Sequence, residues 1–201
     1  MELQDKGFVI LKNVLGPSEV EIGLNCIKDT TANYSCMNKF VKDTFLFQIG
    51  KQLNWSRPIC TKYRVSDGNN SSDASAFHRD IICVPGTPSL PVYTCLIYFD
   101  KTNMEVIPGS HLNYFYKYSE MVGLFNKKQK ITLVPGDILV FNSCLLHRGI
   151  FTEGLKHRRL LQVFEVFPNE TIFNKLNKVI VHVPGKEIGR ASCRERVYSS
   201  V

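Results

Sequence analysis

The chain has 201 residues, 44% hydrophobic and 21% charged, which fits one globular domain with a sizeable core and excludes a disordered or fibrous chain. No run approaches the ~20 apolar residues of a membrane helix, and Met1-Glu2-Leu3-Gln4-Asp5-Lys6 has no apolar core behind a basic start, so it is not a signal peptide. The net charge of +7 favours an anionic substrate, but the lysines and arginines are scattered. Their densest clusters, Lys127-Lys128-Gln129-Lys130 and Lys156-His157-Arg158-Arg159, read as solvated faces and argue against nucleic-acid binding.

In chain order, Gly7-Phe8-Val9-Ile10-Leu11 predicts a short strand and Gly16-Pro17-Ser18 a break that caps a helix over 19–28. Met37, Phe40, Val41, Phe45, Leu46 and Ile49 recur at helical spacing and predict one helix over 35–53. From Pro58 onward the pattern is of strands: 59–65, 77–84, 92–99, 105–107, 131–134, 138–141 and 159–167, with an edge strand at 178–183. Asp67-Gly68-Asn69-Asn70 is a polar loop, and Pro85-Gly86, Pro108-Gly109 and Pro135-Gly136-Asp137 are turns. The aromatic stretch 114–118 has no clear period and reads as a loop or short helix. Helices followed by about eight short strands indicate a mainly β domain with flanking helices, a double-stranded β-helix of jelly-roll, cupin-like type.

Seven cysteines without a CxxC pair predict reduced thiols and a cytoplasmic protein, with Cys83, Cys95 and Cys144 as small core residues. Residues 187–201, from Glu187-Ile188-Gly189-Arg190-Ala191-Ser192-Cys193-Arg194, resemble the translation of a widely used sequencing adapter and show no structural period. The expected organisation is therefore one domain over 1–186, truncated at its C-terminus, with a non-native tail over 187–201.

The chemistry concentrates at His78-Arg79-Asp80. On an extended segment, residues i and i+2 share a face. A second histidine from a distant strand, His147, completes a two-histidine, one-carboxylate set, the ligand type of non-haem Fe(II) oxygenases. Arg158, eleven positions beyond His147, stands at the head of the apolar run Leu160-Leu161-Gln162-Val163-Phe164. A guanidinium buried there calls for an anion and suits a carboxylate in two-pronged fashion. Arg159 competes with it, since neighbouring strand residues face opposite sides.

Taken together, Gly7-Phe8-Val9-Ile10-Leu11, Phe77-His78-Arg79-Asp80, Val106-Ile107-Pro108-Gly109-Ser110-His111, Gly136-Asp137-Ile138-Leu139-Val140-Phe141 and Leu146-His147-Arg148-Gly149 resemble the phytanoyl-CoA dioxygenase family of Fe(II)/2-oxoglutarate oxygenases, over residues 7–167. The resemblance implies His78, Asp80 and His147 as iron ligands and Arg158 as partner of the distal carboxylate of 2-oxoglutarate. It implies consumption of 2-oxoglutarate and O2, release of succinate and CO2, and hydroxylation of a small or medium organic substrate. The chain departs from the family at Gly149, where relatives often carry a hydroxyl residue; Thr94, Tyr63 and Lys62 are candidates for the missing carboxylate contact. A second departure, Asn103-Met104-Glu105, reshapes the substrate side. His111 reads as a structural or supporting residue, His157 and His182 as surface or packing residues, and Asn142 and Ser143 as residues near the mouth. Two rival readings remain: a cupin-like metalloenzyme that uses no keto acid, and a non-catalytic β-helix binding module.

Overall fold

The structure, a computed structural model, describes residues 2–29, 34–68, 76–81, 90–112, 127–150, 159–176 and 198–199. Helix α1 (Glu2–Asp5) leads into strand β1 (Phe8–Leu11), then helices α2 (Pro17–Asp29), α3 (Ser35–Lys39) and α4 (Leu46–Leu53). The strands follow: β2 (Lys62–Asp67), β3 (Tyr93–Tyr98), β4 (Thr102–Val106), β5 (Gln129–Leu133), β6 (Ile138–Asn142), β7 (His147–Gly149) and β8 (Arg159–Val166). Helix α5 (Glu170–Leu176) and a two-residue strand β9 (Tyr198–Ser199) close the order.

Two antiparallel sheets face one another. The larger has the order β1-β6-β3-β8-β2-β9 and the smaller β5-β4-β7. Alternation along each strand builds two cores. Cys95 and Ile97 of β3, Ile138 and Val140 of β6, and Leu161 and Val163 of β8 meet Ile27, Met37, Phe40, Phe45 and Ile49 of the helical layer. The opposite faces, Leu96, Tyr98, Leu139, Phe141 and Leu160, meet Met104, Val106, Ile131 and Leu133 of the small sheet. Strand β6 is buried throughout because both of its faces are covered. The architecture is the double-stranded β-helix expected from the strand pattern.

Several local expectations change. The helix expected over 35–53 is interrupted by a π-helical stretch, Phe40–Phe45, which keeps Phe40, Val41 and Phe45 buried. Residues 77–81 form no regular strand: His78 makes a single bridge to His147, and Asp80 and Ile81 lie in a bend. The expectation of reduced thiols is corrected at Cys26 and Cys36, whose disulfide joins α2 to α3, while Cys60 and Cys95 are free. Cys144 is also disulfide-bonded. Sequence spacing missed the first pair because the helices, not the chain, bring its members together. In the tail, expected to lack structure, Tyr198 and Ser199 pair with Tyr63 and Lys62. The aromatic stretch 114–118, the strand expected over 178–183, His157 and His182 lie outside the described residues. Among the described residues no helix is long and apolar enough to cross a membrane.

Two motif residues are explained by packing. Asp137, fully buried, accepts bonds from Lys12 Nζ (2.6 Å) and the backbone N–H groups of Asn13 (3.1 Å) and Val134 (3.2 Å). Gly136 beside it has φ +95°, and a Cβ there would lie 2.6 Å from the Leu15 carbonyl oxygen.

Candidate metal centre

His78 and His147 are locked to one another by backbone. The His78 N–H donates to the His147 carbonyl (3.0 Å) and the His147 N–H to the His78 carbonyl (3.1 Å). Their rings lie 4.3 Å apart, centroid to centroid. The bend after His78 is fixed where the N–H groups of Asp80 and Ile81 both donate to the Ser143 carbonyl, each at 3.0 Å. Asp80 Oδ1 then sits 3.8 Å from His78 Nε2 and 3.7 Å from His147 Nε2. One ligand atom from each of the three residues falls within 4.8 Å of the others.

The donor set fits a cation. Each histidine Nδ1 faces a carbonyl, His78 that of Ala76 (3.1 Å) and His147 that of Leu145 (3.0 Å). A carbonyl only accepts, so Nδ1 carries the hydrogen and Nε2 presents its lone pair inward, the arrangement that orients metal-bound histidines. Burial pushes the His147 imidazole below its usual range, against the opposite pull of Asp80. Two imidazole nitrogens and a carboxylate oxygen thus converge, as one face of an octahedral ion requires.

The surroundings hold the carboxylate in place. Thr94, fully buried on β3, donates its hydroxyl to Asp80 Oδ2 at 2.6 Å, and its oxygen lies 3.2 Å from Ser143 Oγ. Arg79, between the two ligands, points away and bonds the carbonyls of Cys144 and Ser110. On one side of the triad a cavity of about 80 Å³ runs between the sheets, walled by Arg64, Gln162, Leu96 and Tyr98 from the large sheet and by Met104 and Gly149 from the small one. Arg64 and Gln162 are direct register partners on β2 and β8.

The structure brings His78, Asp80, His147 and Thr94 together. Lys62 lines a second cavity that also touches Asp80. Tyr63 faces the other way: it is buried in the helix-side core and donates its hydroxyl to Asn38 Oδ1 (2.7 Å). Arg158 lies outside the described residues. Arg159 is turned outward, clasping Asp100 through Nη2 (2.6 Å) and Nε (3.1 Å). His111 packs against Gly7 and bonds the Gln4 carbonyl through Nε2 (2.9 Å), a structural position. Asn142 bonds the Leu90 carbonyl and the Cys144 N–H, leaving Ser143 as the residue of that pair on a cavity wall. Arg64 and Gln162 were not singled out in the sequence. The signal for Arg64 was its parity with Lys62, two positions earlier on the same strand.

No family model matches the sequence, and no curated protein matches it. Solved structures match the fold. EctD from S. alaskensis, crystallised with 2-oxoglutarate and 5-hydroxyectoine, is 16% identical with a TM-score of 0.58, over 82% of this chain and 73% of that one. The non-heme alpha-ketoglutarate-dependent epimerase SnoN from nogalamycin biosynthesis is 15% identical with a TM-score of 0.57, over 82% of this chain and 79% of that one. HygX from Streptomyces hygroscopicus, with nickel and 2-oxoglutarate bound, is 17% identical with a TM-score of 0.51, over 83% and 84%. The chain therefore shares the jelly-roll fold of these proteins.

Proposed function

We propose that this chain is an Fe(II)- and 2-oxoglutarate-dependent dioxygenase, similar to the phytanoyl-CoA dioxygenase family, that hydroxylates a small or medium organic substrate, with residues 1–186 as its domain. The observation that carries the reading is the convergence of His78, Asp80 and His147 beside a cavity with a guanidinium on its wall. Neighbours of the same fold are crystallised with 2-oxoglutarate and with metal.

His78, Asp80 and His147 would hold the iron through Nε2, a carboxylate oxygen and Nε2. Bound there, Fe(II) supplies the coupling of O2 reduction to decarboxylation of the keto acid, so that substrate, 2-oxoglutarate and O2 yield hydroxylated substrate, succinate and CO2. The chain's own residues select and place the reactants. Arg64 offers a charged, planar donor to the keto acid inside the cavity. Arg158, eleven positions beyond His147, is the candidate partner of the distal carboxylate. Leu96, Tyr98 and Met104 give the cavity its apolar wall. Thr94 holds one Asp80 oxygen so that the other faces the histidines.

Anaerobic titration with Fe(II) and 2-oxoglutarate tests the reading. A weak visible charge-transfer band, lost on His78→Ala or Asp80→Ala, is expected. A folded protein that takes up iron yet neither shows the band nor binds 2-oxoglutarate refutes it in favour of a metalloenzyme without a keto acid.

A further inference from the structure

The second cavity, about 170 Å³, lies beyond Asp80 and is walled by Lys62, Thr94, Ser143, Phe164 and Glu165. Its shape depends on an irregularity in β8. Opposite β3 the pairing runs Cys95 with Val163 and then Tyr93 with Val166, so Phe164 and Glu165 together stand against Thr94 alone. This is a β-bulge, and it resets the alternation. Leu161 and Val163 face the helix-side core, and so does Val166 after the bulge. Regular alternation would have placed Glu165 in that core. The bulge turns it to the cavity instead.

The backbone of Glu165 is strained by the same turn: its φ is +50°, in the left-handed region that glycine favours. Strain of this kind persists where the surroundings over-determine it, and it clusters at functional sites. The Glu165 carboxylate, 5% exposed, accepts from the Thr61 hydroxyl and from Lys62 Nζ at 2.9 Å. It is an anchor. The Lys62 ammonium, 29% exposed, is what the anchor presents at the cavity wall, and an ammonium has three N–H donors to distribute.

We propose that Lys62 is the seat for a carboxylate on the primary substrate, with Glu165 as its positioning residue, the substrate being a small carboxylic acid. The proposal rests on the dioxygenase reading in one respect: the keto acid takes the Arg64 cavity, which leaves the Lys62 cavity to the primary substrate. An anionic group suits the Lys62 donors, and a cation there is repelled by the ammonium. Lys62 and Arg64 share a strand face but line different cavities, so the keto acid and the substrate each meet their own cation, with Asp80 on the wall of both.

The test uses Mn(II)-loaded protein saturated with 2-oxoglutarate, with hexanoate and hexylamine as probes. Paramagnetic relaxation of the probe protons reports residence near the metal. Hexanoate is expected to relax saturably and hexylamine not. Lys62→Met is expected to weaken hexanoate binding at least tenfold while 2-oxoglutarate affinity, from a separate calorimetric titration, stays within twofold. Glu165→Gly keeps the left-handed backbone without strain and is expected to weaken hexanoate several-fold. Equal relaxation of hexylamine, or hexanoate binding untouched by Lys62→Met, overturns the proposal. A loss that falls on 2-oxoglutarate instead also overturns it and makes Lys62 a co-substrate contact. If wild type fails to bind 2-oxoglutarate, the dioxygenase reading falls by itself, while Lys62-dependent hexanoate binding to the Mn(II) protein still upholds the seat.

Discussion

Thr94→Val removes one hydroxyl and keeps the shape of the side chain. In the native site that hydroxyl donates to Asp80 Oδ2 at 2.6 Å from a fully buried position, leaving Oδ1 to face both histidines. A hydrogen bond to a charged group contributes about 1.5–3 kcal/mol. The affinity effect is the part of this that orients the carboxylate for the metal, and loss of such supporting bonds weakens metal binding about 10–100-fold, or about 1.4–2.7 kcal/mol. The two ranges overlap, and a loss of at least tenfold is expected. Anaerobic competition against a metal-sensitive chelator dye, with Fe(II) or Co(II), measures it. Thr94→Ser keeps the donor and is expected within about threefold of wild type. A valine variant that melts like wild type and binds metal within twofold would show that the Thr94 bond does not set the Asp80 geometry.

The two adjacent arginines separate cleanly. Arg158→Ala is expected to weaken 2-oxoglutarate binding about 100-fold or more, from the roughly 3–5 kcal/mol at stake in a broken buried charge pair. Arg159→Ala loses only a half-exposed pair with Asp100, worth about 0–1 kcal/mol, and calorimetric titration should show co-substrate affinity unchanged. Cys26 and Cys36 close a loop of sequence separation 10, for which the chain-entropy model gives about 2.5–3 kcal/mol. Cys26→Ala/Cys36→Ala should therefore melt about 5–12 °C lower; an unchanged melt counts against the bridge as a stabiliser. Burial pushes the His111 imidazole below its ordinary range, with the bond to the Gln4 carbonyl pulling back. As pH falls below the unfolded value of about 6.5, the unfolded chain takes the proton first, so stability drops with pH down to the depressed folded value. His147 acts in the same direction through its own burial. His111→Gln should make the melting temperature fall less steeply between pH 7 and 5; an equal slope would refute the assignment.

The fold was legible because the short apolar, β-prone runs 92–99, 138–141 and 159–167 are strands whose two faces the structure does bury in two cores. The triad was legible because few arrangements use His-x-Asp and a remote histidine, although the expected regular strand proved to be one bridge and a bend. What escaped depends on pairing between distant segments. The parity change at Glu165 follows from how β8 meets β3, not from β8 alone. Tyr63 and Lys62 looked equivalent as candidates, yet the pleat sends one to Asn38 and the other to a cavity. The Cys26–Cys36 bridge needs α2 and α3 side by side, a packing outcome with no spacing signature. The π-helical stretch at 40–45 leaves the apolar period nearly intact and so stays hidden in it.

The reciprocal bridge between His78 and His147 has a consequence for the order of assembly. Two hydrogen bonds join segments that lie far apart along the chain, and closing so long a loop is slow relative to forming local turns or helices. Until the sheets meet, the histidines have no common address and a dissolved ion has nothing to gather. Metal uptake during refolding should then lag helix formation and follow sheet closure. Once the rung is formed, the three candidate ligands stand together, and an ion taken up there is expected to exchange without parting the sheets.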